Sequence, residues 1–267
     1  WSDWINDEGS EYRACEVCRA IDGNTDGLEP GEEWKLDAAT GIQWKFSEGI
    51  LTVNYRGNLE YDIFAPWDEI SEDVIKLVLN EGISGFSEAV TCDLPELKEI
   101  QIPGSCINIE DVWGTFDFND KLEKIDVSTD NPEFSSVDGV LYNKGGEKLL
   151  FYPHNKPDEI FILPDACTEI DNLYCNNLKE LNLGSNLKII NSFIGGKNIV
   201  LIRVPATLQN IKGSVFDVSE NLTNIIIDEN NPYLCYENGA LLSKDKKIIY
   251  EVIPCIDNAK YTIQATV

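Results

Sequence analysis

The hydrophobic residues of this chain recur in a short, fixed pattern. An aliphatic residue is followed three and five positions later by two others, as at Leu97, Ile100 and Ile102. Residues two apart on a β-strand point to the same side, so the last two positions of each copy predict a strand with one apolar face. The clear copies lie at Val74/Leu77/Leu79, Leu97/Ile100/Ile102, Leu122/Ile125/Val127, Leu178/Leu181/Leu183, Ile199/Ile202/Val204 and Leu222/Ile225/Ile227, with weaker ones at Ile160/Ile162 and Tyr261/Ile263.

The spacing of these copies predicts a solenoid. They follow one another at steps of 23, 25, 35, 21, 21, 23 and 36 residues. One such strand cannot bury its apolar face alone, but copies about 20 to 29 residues apart can stack into a parallel sheet over a continuous core. Unrelated strands of a β-sandwich would not keep this signature in register. We therefore predict a right-handed, β-rich leucine-rich-repeat solenoid with a parallel sheet on its concave face and a strand-rich N-terminal cap.

The long steps contain a second repetition. The segment from Asn131 to Tyr142 is matched, 100 residues later, by the segment from Asn231 to Leu242. A polar turn and another apolar run follow each copy. Because a polar or Gly-rich turn between two β-rich runs is the signal of a hairpin, we predict two inserted β-hairpins on the back or flank of the solenoid.

The repeats and inserts together resemble BspA-like leucine-rich-repeat proteins. In that family a segment similar to Asn131–Tyr142 precedes a Lys-Leu-Leu-x-Tyr-Pro run, here at 148–153, and then an Ile-Pro strand. The resemblance covers about Val74 to the C-terminus, and residues 44–67 resemble the strand-rich N-terminal segment of such proteins. The chain departs from the family at Val90, where Phe is expected, and in having Cys at one family position only. The matching repeat positions are Ile102-Pro103, Leu163-Pro164, Val204-Pro205, Phe116, Phe193, Phe216 and Cys175.

The resemblance implies a secreted or cell-surface protein that takes part in adhesion or binds host proteins. The expected partner is an extracellular protein or a glycan, and the alternative is a structural stalk that spaces another domain from the surface. We predict three segments: a helical, acidic segment at 1–40, a β-rich cap at 41–73 and the solenoid at 74–267.

The charge of the chain narrows its partners. It has 47 acidic and 21 basic residues and a net charge of −26. A field of this sign repels phosphate backbones and anionic lipids, so we expect neither nucleic-acid nor membrane-surface binding. No run reaches the roughly 18 apolar residues that a membrane helix needs, so we also expect no membrane insertion. The chain opens at Trp1 without a leader, which we interpret as a mature or trimmed form.

The N-terminal segment contains one sharp motif. Asp22, Asn24, Asp26, Gly27 and Glu33 fit the spacing Asp-x-Asn-x-Asp-Gly-x5-Glu of a calcium loop, in which Leu28 would add its carbonyl oxygen. The three-residue steps through Tyr12, Cys15, Cys18 and Ile21 predict an entering helix. Glu29 and Pro30 do not suit such a loop, and there is no partner loop, so an acidic surface turn is the favoured interpretation and the calcium loop is the alternative. No other cofactor is expected.

The cysteines and the single histidine give little basis for catalysis. Of the eight Cys, Cys106, Cys167 and Cys175 fall at inward repeat positions and are interpreted as small buried hydrophobes. Cys15 and Cys18 are interpreted as two helix-face thiols, or as a disulfide outside the cell. His154 lies where a turn is expected and is placed at the surface. With no nucleophile–His–acid pattern and no phosphate loop, we predict that the protein is not an enzyme.

Strand residues that point away from the core should line the concave face. Four of them, Phe161, Leu201, Arg203 and Ile226, are aromatic, aliphatic or Arg side chains of the kind found at interface hot spots. We predict that they bind the partner, and the alternative is that insert loops cover them. The last predicted strand, near Ile263, leaves an open sheet edge. Either the chain is a piece of a longer array, or this edge pairs with a second copy.

Overall fold

The computed structural model describes residues 34–37, 39–59, 65–212, 216 and 219–253, together with the backbone of 5–7, 10–14 and 21–23. Within these residues the chain is a β-solenoid with parallel sheets and few helices. It divides into two compact units, and the division falls at the first insert. The first unit runs up to Lys121 and includes Ile125–Glu133, and the second comprises Leu122–Lys124 and the residues from Phe134 onward.

The first unit is built mainly of short strands. They are β1 (Ile5–Asp7), β2 (Ser10–Ala14), β3 (Ile21–Gly23), β4 (Lys35–Leu36), β5 (Gln43–Ser47), β6 (Ile50–Asn54), β7 (Gly57–Leu59), β8 (Lys76–Leu79), β9 (Ile83–Phe86), β10 (Glu99–Ile102), β11 (Asn108–Ile109) and β12 (Lys124–Val127). Its described helices are α1 (Val112–Asp117) and the 3₁₀ segments Asp68–Asp73 and Glu88–Val90.

The front sheet of this unit carries the repeat pattern. It has the order β12-β10-β8-β6-β5-β4, and β6, β8 and β10 run parallel. Leu51 pairs with Leu77, and Leu77 with Ile100, and all three are buried. The 23-residue step between Leu77 and Ile100 is therefore the register of the sheet, as the spacing predicted.

The N-terminal strands correct one prediction. Tyr12 lies in β2 and Ile21 in β3, and the two strands are antiparallel. The helix expected across these residues is therefore wrong, because a few apolar residues at three-residue steps do not distinguish a helix from residues of two separate strands. Of the predicted calcium loop, Asp22 lies in β3 and pairs with Arg13, whereas Asn24, Asp26, Leu28 and Glu33 lie outside the described residues.

The second unit contains the remaining strands. They are β13 (Phe134–Val137), β14 (Val140–Asn143), β15 (Lys148–Phe151), β16 (Ile160–Ile162), β17 (Glu169–Ile170), β18 (Leu173–Tyr174), β19 (Glu180–Asn182), β20 (Ile189–Ile190), β21 (Ile194–Gly195), β22 (Leu201–Val204), β23 (Asn210–Ile211), β24 (Asn224–Ile227), β25 (Leu234–Glu237), β26 (Ala240–Ser243) and β27 (Ile249–Val252). The front strands are parallel in the order β16-β19-β22-β24, and a second parallel series follows the order β15-β17-β20-β23.

Both predicted hairpins are present: β14 pairs antiparallel with β15, and β26 with β27, across the polar turn that follows each copy. Each insert also contains a hairpin that was not predicted, in which β13 pairs with β14 around Asp138-Gly139 and β25 pairs with β26 around Asn238-Gly239. All four turn residues have positive φ, the conformation that Asp-Gly and Asn-Gly supply in tight hairpins. The first insert is also part of the solenoid itself. Its third strand, β15, pairs in parallel with β17 and so begins the second parallel series of strands.

The Asn-Pro pair that opens each insert has a structural role. Asn231 is buried, and its Nδ2 donates to the carbonyl oxygens of Pro205 at 2.7 Å and Leu208 at 3.1 Å. Its Oδ1 accepts from the backbone N–H groups of Tyr233 and Leu234, both at 2.8 Å. This side chain satisfies backbone groups that would otherwise be buried without partners. Asn131 binds the turn before it in the same way.

Candidate partner-binding face

The outward residues of the front strands in the second unit form two adjacent columns, which we call the front face. The pairing of β16, β19, β22 and β24 aligns each residue with its counterpart one turn later. Side chains alternate along a strand, so these residues point away from the core when their neighbours point inward. The front face consists of Ile160, Glu180, Leu201 and Asn224 in one column and Ile162, Asn182, Arg203 and Ile226 in the other.

Phe161 does not belong to this face, and its predicted place there is wrong. It pairs with Leu181, which is buried, and packs against the core of the second unit. Its ring meets the buried ring of Tyr152 edge to face, with the centroids 4.8 Å apart. Burying a large aromatic against Tyr152 is more favourable than exposing it, so Phe161 takes the inward position.

The two neighbours of Phe161 therefore take the outward positions. Ile160 is 60% exposed and Ile162 is 62% exposed. The sequence contained a signal for this register in Leu163-Pro164, which matches Ile102-Pro103 and Val204-Pro205. In each pair the residue before Pro is buried, so Leu163 and, two residues earlier, Phe161 share the inward side.

The other three predicted residues do lie on the front face. Ile226 is 41% exposed, and Leu201 and Arg203 are half-buried. The insert loops therefore do not cover Ile226. Arg203 is engaged within the face, because its Nε lies 2.6 Å from Oε1 of Glu180 on the neighbouring strand.

The charges on this part of the sheet cancel. Arg203 pairs with Glu180, and beside the face Lys179 Nζ lies 2.6 Å from Glu159 Oε1. Exposed pairs of this kind add less than about 1 kcal/mol each to stability. Their main effect is that this surface carries little net charge, although the whole chain has a net charge of −26. The surface therefore presents aliphatic groups beside paired charges.

A different polar network crosses the second sheet. Lys148 Nζ lies 2.9 Å from both Glu169 Oε1 and Asp171 Oδ1, and Asn191 Nδ2 donates to the same oxygens at 2.6 and 2.9 Å. Lys212 Nζ donates to Asn191 Oδ1 at 2.6 Å. The hydrogen bond from Lys148 lowers the pKa of Glu169. Burial alone would lower the pKa of Lys148, but its bonds to Asp171 and Glu169 outweigh this and raise it. The network links four neighbouring strands of this sheet, β15, β17, β20 and β23.

The buried thiols are not reactive groups. Cys106, Cys167 and Cys175 are fully buried and free, which confirms their predicted place in the core. Burial raises the pKa of Cys106 to about 11, so this thiol stays protonated at neutral pH and is a poor nucleophile or metal ligand. Cys15 and Cys18 lie outside the described residues.

His154 was placed at the surface, and that prediction is wrong. It is 2% exposed, and its ring lies 5.2 Å from the ring of Phe151 and 5.4 Å from that of Tyr174. The turn that contains it is covered by the next turn, since the backbone N–H of Asn176 donates to the carbonyl of His154. An imidazole enclosed in this way is a packing group.

A small polar cluster of Tyr152, Lys156 and Asp158 lies just before β16 in the chain. The hydroxyl of Tyr152 donates to Asp158 Oδ2 at 3.0 Å, and Lys156 Nζ lies 2.9 Å from the same oxygen. Burial, followed by the nearby charges, raises the pKa of Tyr152. Because Tyr152 and Lys156 are buried, this arrangement fixes the turn rather than presenting groups to a substrate.

The described ranges contain neither a metal-binding cluster nor a membrane-spanning helix. No group of three or more His, Cys, Asp or Glu residues is placed so that it could hold a metal ion. No helix there combines the length and the apolar character that crossing a bilayer requires.

The described architecture is thus a leucine-rich-repeat type of β-solenoid, and comparisons with known proteins add only loose likenesses. No family model and no curated protein matches the chain. A leucine-rich-repeat protein of Eubacterium ventriosum is 19% identical, with a TM-score of 0.44 and coverage of 70% of each chain. A leucine-rich cell-surface protein of Faecalibacterium prausnitzii is 20% identical (TM-score 0.32, 57% of this chain and 37% of that one). The pneumococcal vaccine antigen PcpA is 15% identical (TM-score 0.30, 75% and 82%).

Proposed function

We propose that this chain is a non-catalytic recognition module of a secreted or cell-surface protein of the BspA-like kind, and that its front face binds a protein partner. The observation that carries the proposal is the exposure of Ile160, Ile162 and Ile226 on a regular sheet. Exposed aliphatic groups on a rigid surface are what protein interfaces bury.

The paired charges fit the same use. Because Arg203 and Glu180 already neutralise each other, a partner can cover the face without leaving either charge unpaired. The contact with the aliphatic groups of the face is apolar, so we expect that contribution to the affinity to vary little with salt concentration.

The first step of the test is a pull-down with the intact chain from extracellular-matrix and cell-surface proteins. The affinity of a captured protein is then measured for the variant Ile162→Lys/Ile226→Lys. We expect it to fall at least about tenfold, since charges replace apolar contacts, while the melting temperature stays unchanged because both residues are exposed.

The matched control is Ile107→Lys. Ile107 is 55% exposed but lies in the first unit, outside the front face, so its replacement should leave the affinity unchanged. Equal affinities for all three proteins would remove the front face as the site. Capture of no protein would favour the structural stalk, and capture that a glycosidase abolishes would favour a glycan partner.

A further inference from the structure

An open cleft of about 360 Å³ lies between the end of β24 and the first strand of the second insert, β25. Hydrophobic side chains of β24 and β25 form part of its wall, and ionisable groups come from the loop after β24 and from the hairpin. The residues that matter for its chemistry are Ile226, Ile227, Asp228, Glu229, Tyr236 and Lys244.

The ionisable groups of the cleft leave it negative. Asp228 and Glu229 are adjacent and exposed, and Lys244 is the basic residue that lines it. Asp228 Oδ1 accepts from the backbone N–H and Nδ2 of Asn230, at 2.9 and 3.1 Å. Within the described part of the chain neither carboxylate forms an ion pair, so both remain available to a cation.

The first insert provides an internal comparison, because its sequence is offset by 100 residues throughout. In the first insert, uncharged Ser128 and Thr129 take the places of Asp228 and Glu229. Asp126 takes the place of Ile226, and the small Ser136 takes the place of Tyr236. The hairpin motif therefore does not require the apolar, aromatic and acidic groups of the cleft. They are additions specific to the second copy.

We propose that this cleft binds the arginine side chain of a protein partner, with its guanidinium at Asp228 and Glu229 and its methylene stem along Ile226 and Tyr236. A guanidinium forms bidentate bonds with carboxylates, packs on aromatic rings and is weakly hydrated for a cation. Its apolar stem suits an aliphatic wall. Ile226 belongs both to the cleft and to the front face. This inference therefore rests on the proposed function, because it identifies one side chain of the partner that the front face binds.

The test uses a probe that needs no partner. The intact chain is titrated with Nα-acetyl-L-arginine amide at 0.15 M NaCl and followed by backbone amide NMR. We expect saturable shifts centred on Asp228, Glu229 and Tyr236, with a dissociation constant on the order of 1 mM for so small a ligand. Nα-acetyl-L-citrulline amide has nearly the same shape without the charge, and we expect it to bind at least about tenfold more weakly.

The variant Asp228→Ser/Glu229→Thr carries the residues of the first insert. The loop should tolerate it, because Ser128 Oγ accepts from the backbone N–H of Asp130 in the same way that Asp228 accepts from Asn230. We expect this variant to lose the saturable shifts. The control Asp130→Asn/Glu133→Gln removes the same charge from exposed positions of the first unit and should bind like the original chain.

Several results would overturn the proposal. They are the absence of saturable shifts, equal binding of the citrulline compound, equal binding of Nα-acetyl-L-lysine amide, and shifts spread over carboxylates far from the cleft. None of these would affect the pull-down with Ile162→Lys/Ile226→Lys, since a front face can bind a partner whether or not the cleft takes an arginine.

Discussion

Two tyrosines in the core of the second unit, Tyr142 and Tyr152, differ in whether the hydroxyl group forms a hydrogen bond. Both are fully buried, but Tyr152 donates to Asp158 at 3.0 Å, whereas the hydroxyl of Tyr142 has no hydrogen-bond partner among the described residues. A buried hydroxyl without a partner loses its bonds to water and gains nothing in return, while a bond to a carboxylate compensates for that loss.

Replacement of each tyrosine by phenylalanine should therefore have opposite effects. We expect Tyr142→Phe to raise the free energy of unfolding by about 0.5–1 kcal/mol and Tyr152→Phe to lower it by about 1–3 kcal/mol. Urea unfolding followed by circular dichroism measures both, and each variant serves as the size-matched control for the other. A loss of stability in Tyr142→Phe as large as that in Tyr152→Phe would contradict the account.

At the same scale, β16 shows what the repeat pattern could not resolve. The pattern requires aliphatic residues, so it selected Ile160 and Ile162 as inward and left Phe161 outward. The structure reverses this, because the buried ring of Tyr152 gives Phe161 a partner within the core. Either Ile160 and Ile162 or Phe161 can point inward from this strand, and the choice depends on Tyr152, which follows the preceding insert. The pattern of one strand carries no information about that neighbour.

At the scale of elements, the front strands were predictable because a single physical requirement fixes them. Each must present two inward aliphatic residues in register with the next turn, and the step from Ile202 to Ile225 is the observed pairing. The second sheet was not predictable in the same way. Strands such as Glu169–Ile170 are two residues long and bury one side chain each, so they leave no periodic signal. The N-terminal strands were missed for a related reason, since Ile5–Asp7 and Ile21–Gly23 have three residues each.

The second sheet also carries a pH-dependent element, the network around Lys148 and Glu169. The pKa of Glu169 in the folded chain lies below its ordinary value of 4.5, because Lys148 bonds to the ionised form. The resulting stabilisation is fully present above pH 4.5 and is lost as the pH falls through the lowered pKa.

The variant Lys148→Met should expose this dependence. We expect it to melt below the original chain at pH 6, and the difference to shrink as the pH falls from 4.5 towards 3. The difference at pH 6 should be modest, below about 1 kcal/mol per ion pair, because both groups are about one-third exposed. Lys121→Met, which breaks a more exposed pair with Glu96, is the control and should change melting less. A Lys148→Met difference that does not vary between pH 6 and pH 3 would contradict the assigned cause.

At the scale of the whole molecule, the sequence predicted where the exposed face of the sheet lies, but it did not predict every residue or site on that face. Leu201, Arg203 and Ile226 were placed on the face that the structure shows, because parity along a strand follows from the inward aliphatic pairs. The cleft beside Ile226 was not foreseen. It joins β24 to a hairpin strand that begins seven residues after β24 ends, and its acidic residues were indistinguishable from the other carboxylates of a chain with 47 of them.

That excess of carboxylates makes a prediction about the molecule as a whole. Even if every one of the 21 basic residues paired with an acid, 26 negative charges would remain without a counterpart. Folding brings these charges closer together, so their mutual repulsion opposes the compact state. The ion pairs that salt would weaken are exposed, as between Lys179 and Glu159, and are worth less than about 1 kcal/mol each.

The repulsion acts over much longer distances, because the screening length is about 30 Å at 0.01 M salt and about 10 Å at 0.1 M. Screening should therefore remove more repulsion than attraction, and we expect the melting temperature at pH 7 to rise by several degrees between 0.01 and 0.15 M NaCl. Differential scanning calorimetry measures the shift. The same series near the isoelectric point of about 4.2 is the control, since the net repulsion vanishes there and the rise should disappear. A melting temperature that falls with salt at pH 7 would show instead that the exposed ion pairs, and not the uncompensated carboxylates, dominate the electrostatics of this solenoid.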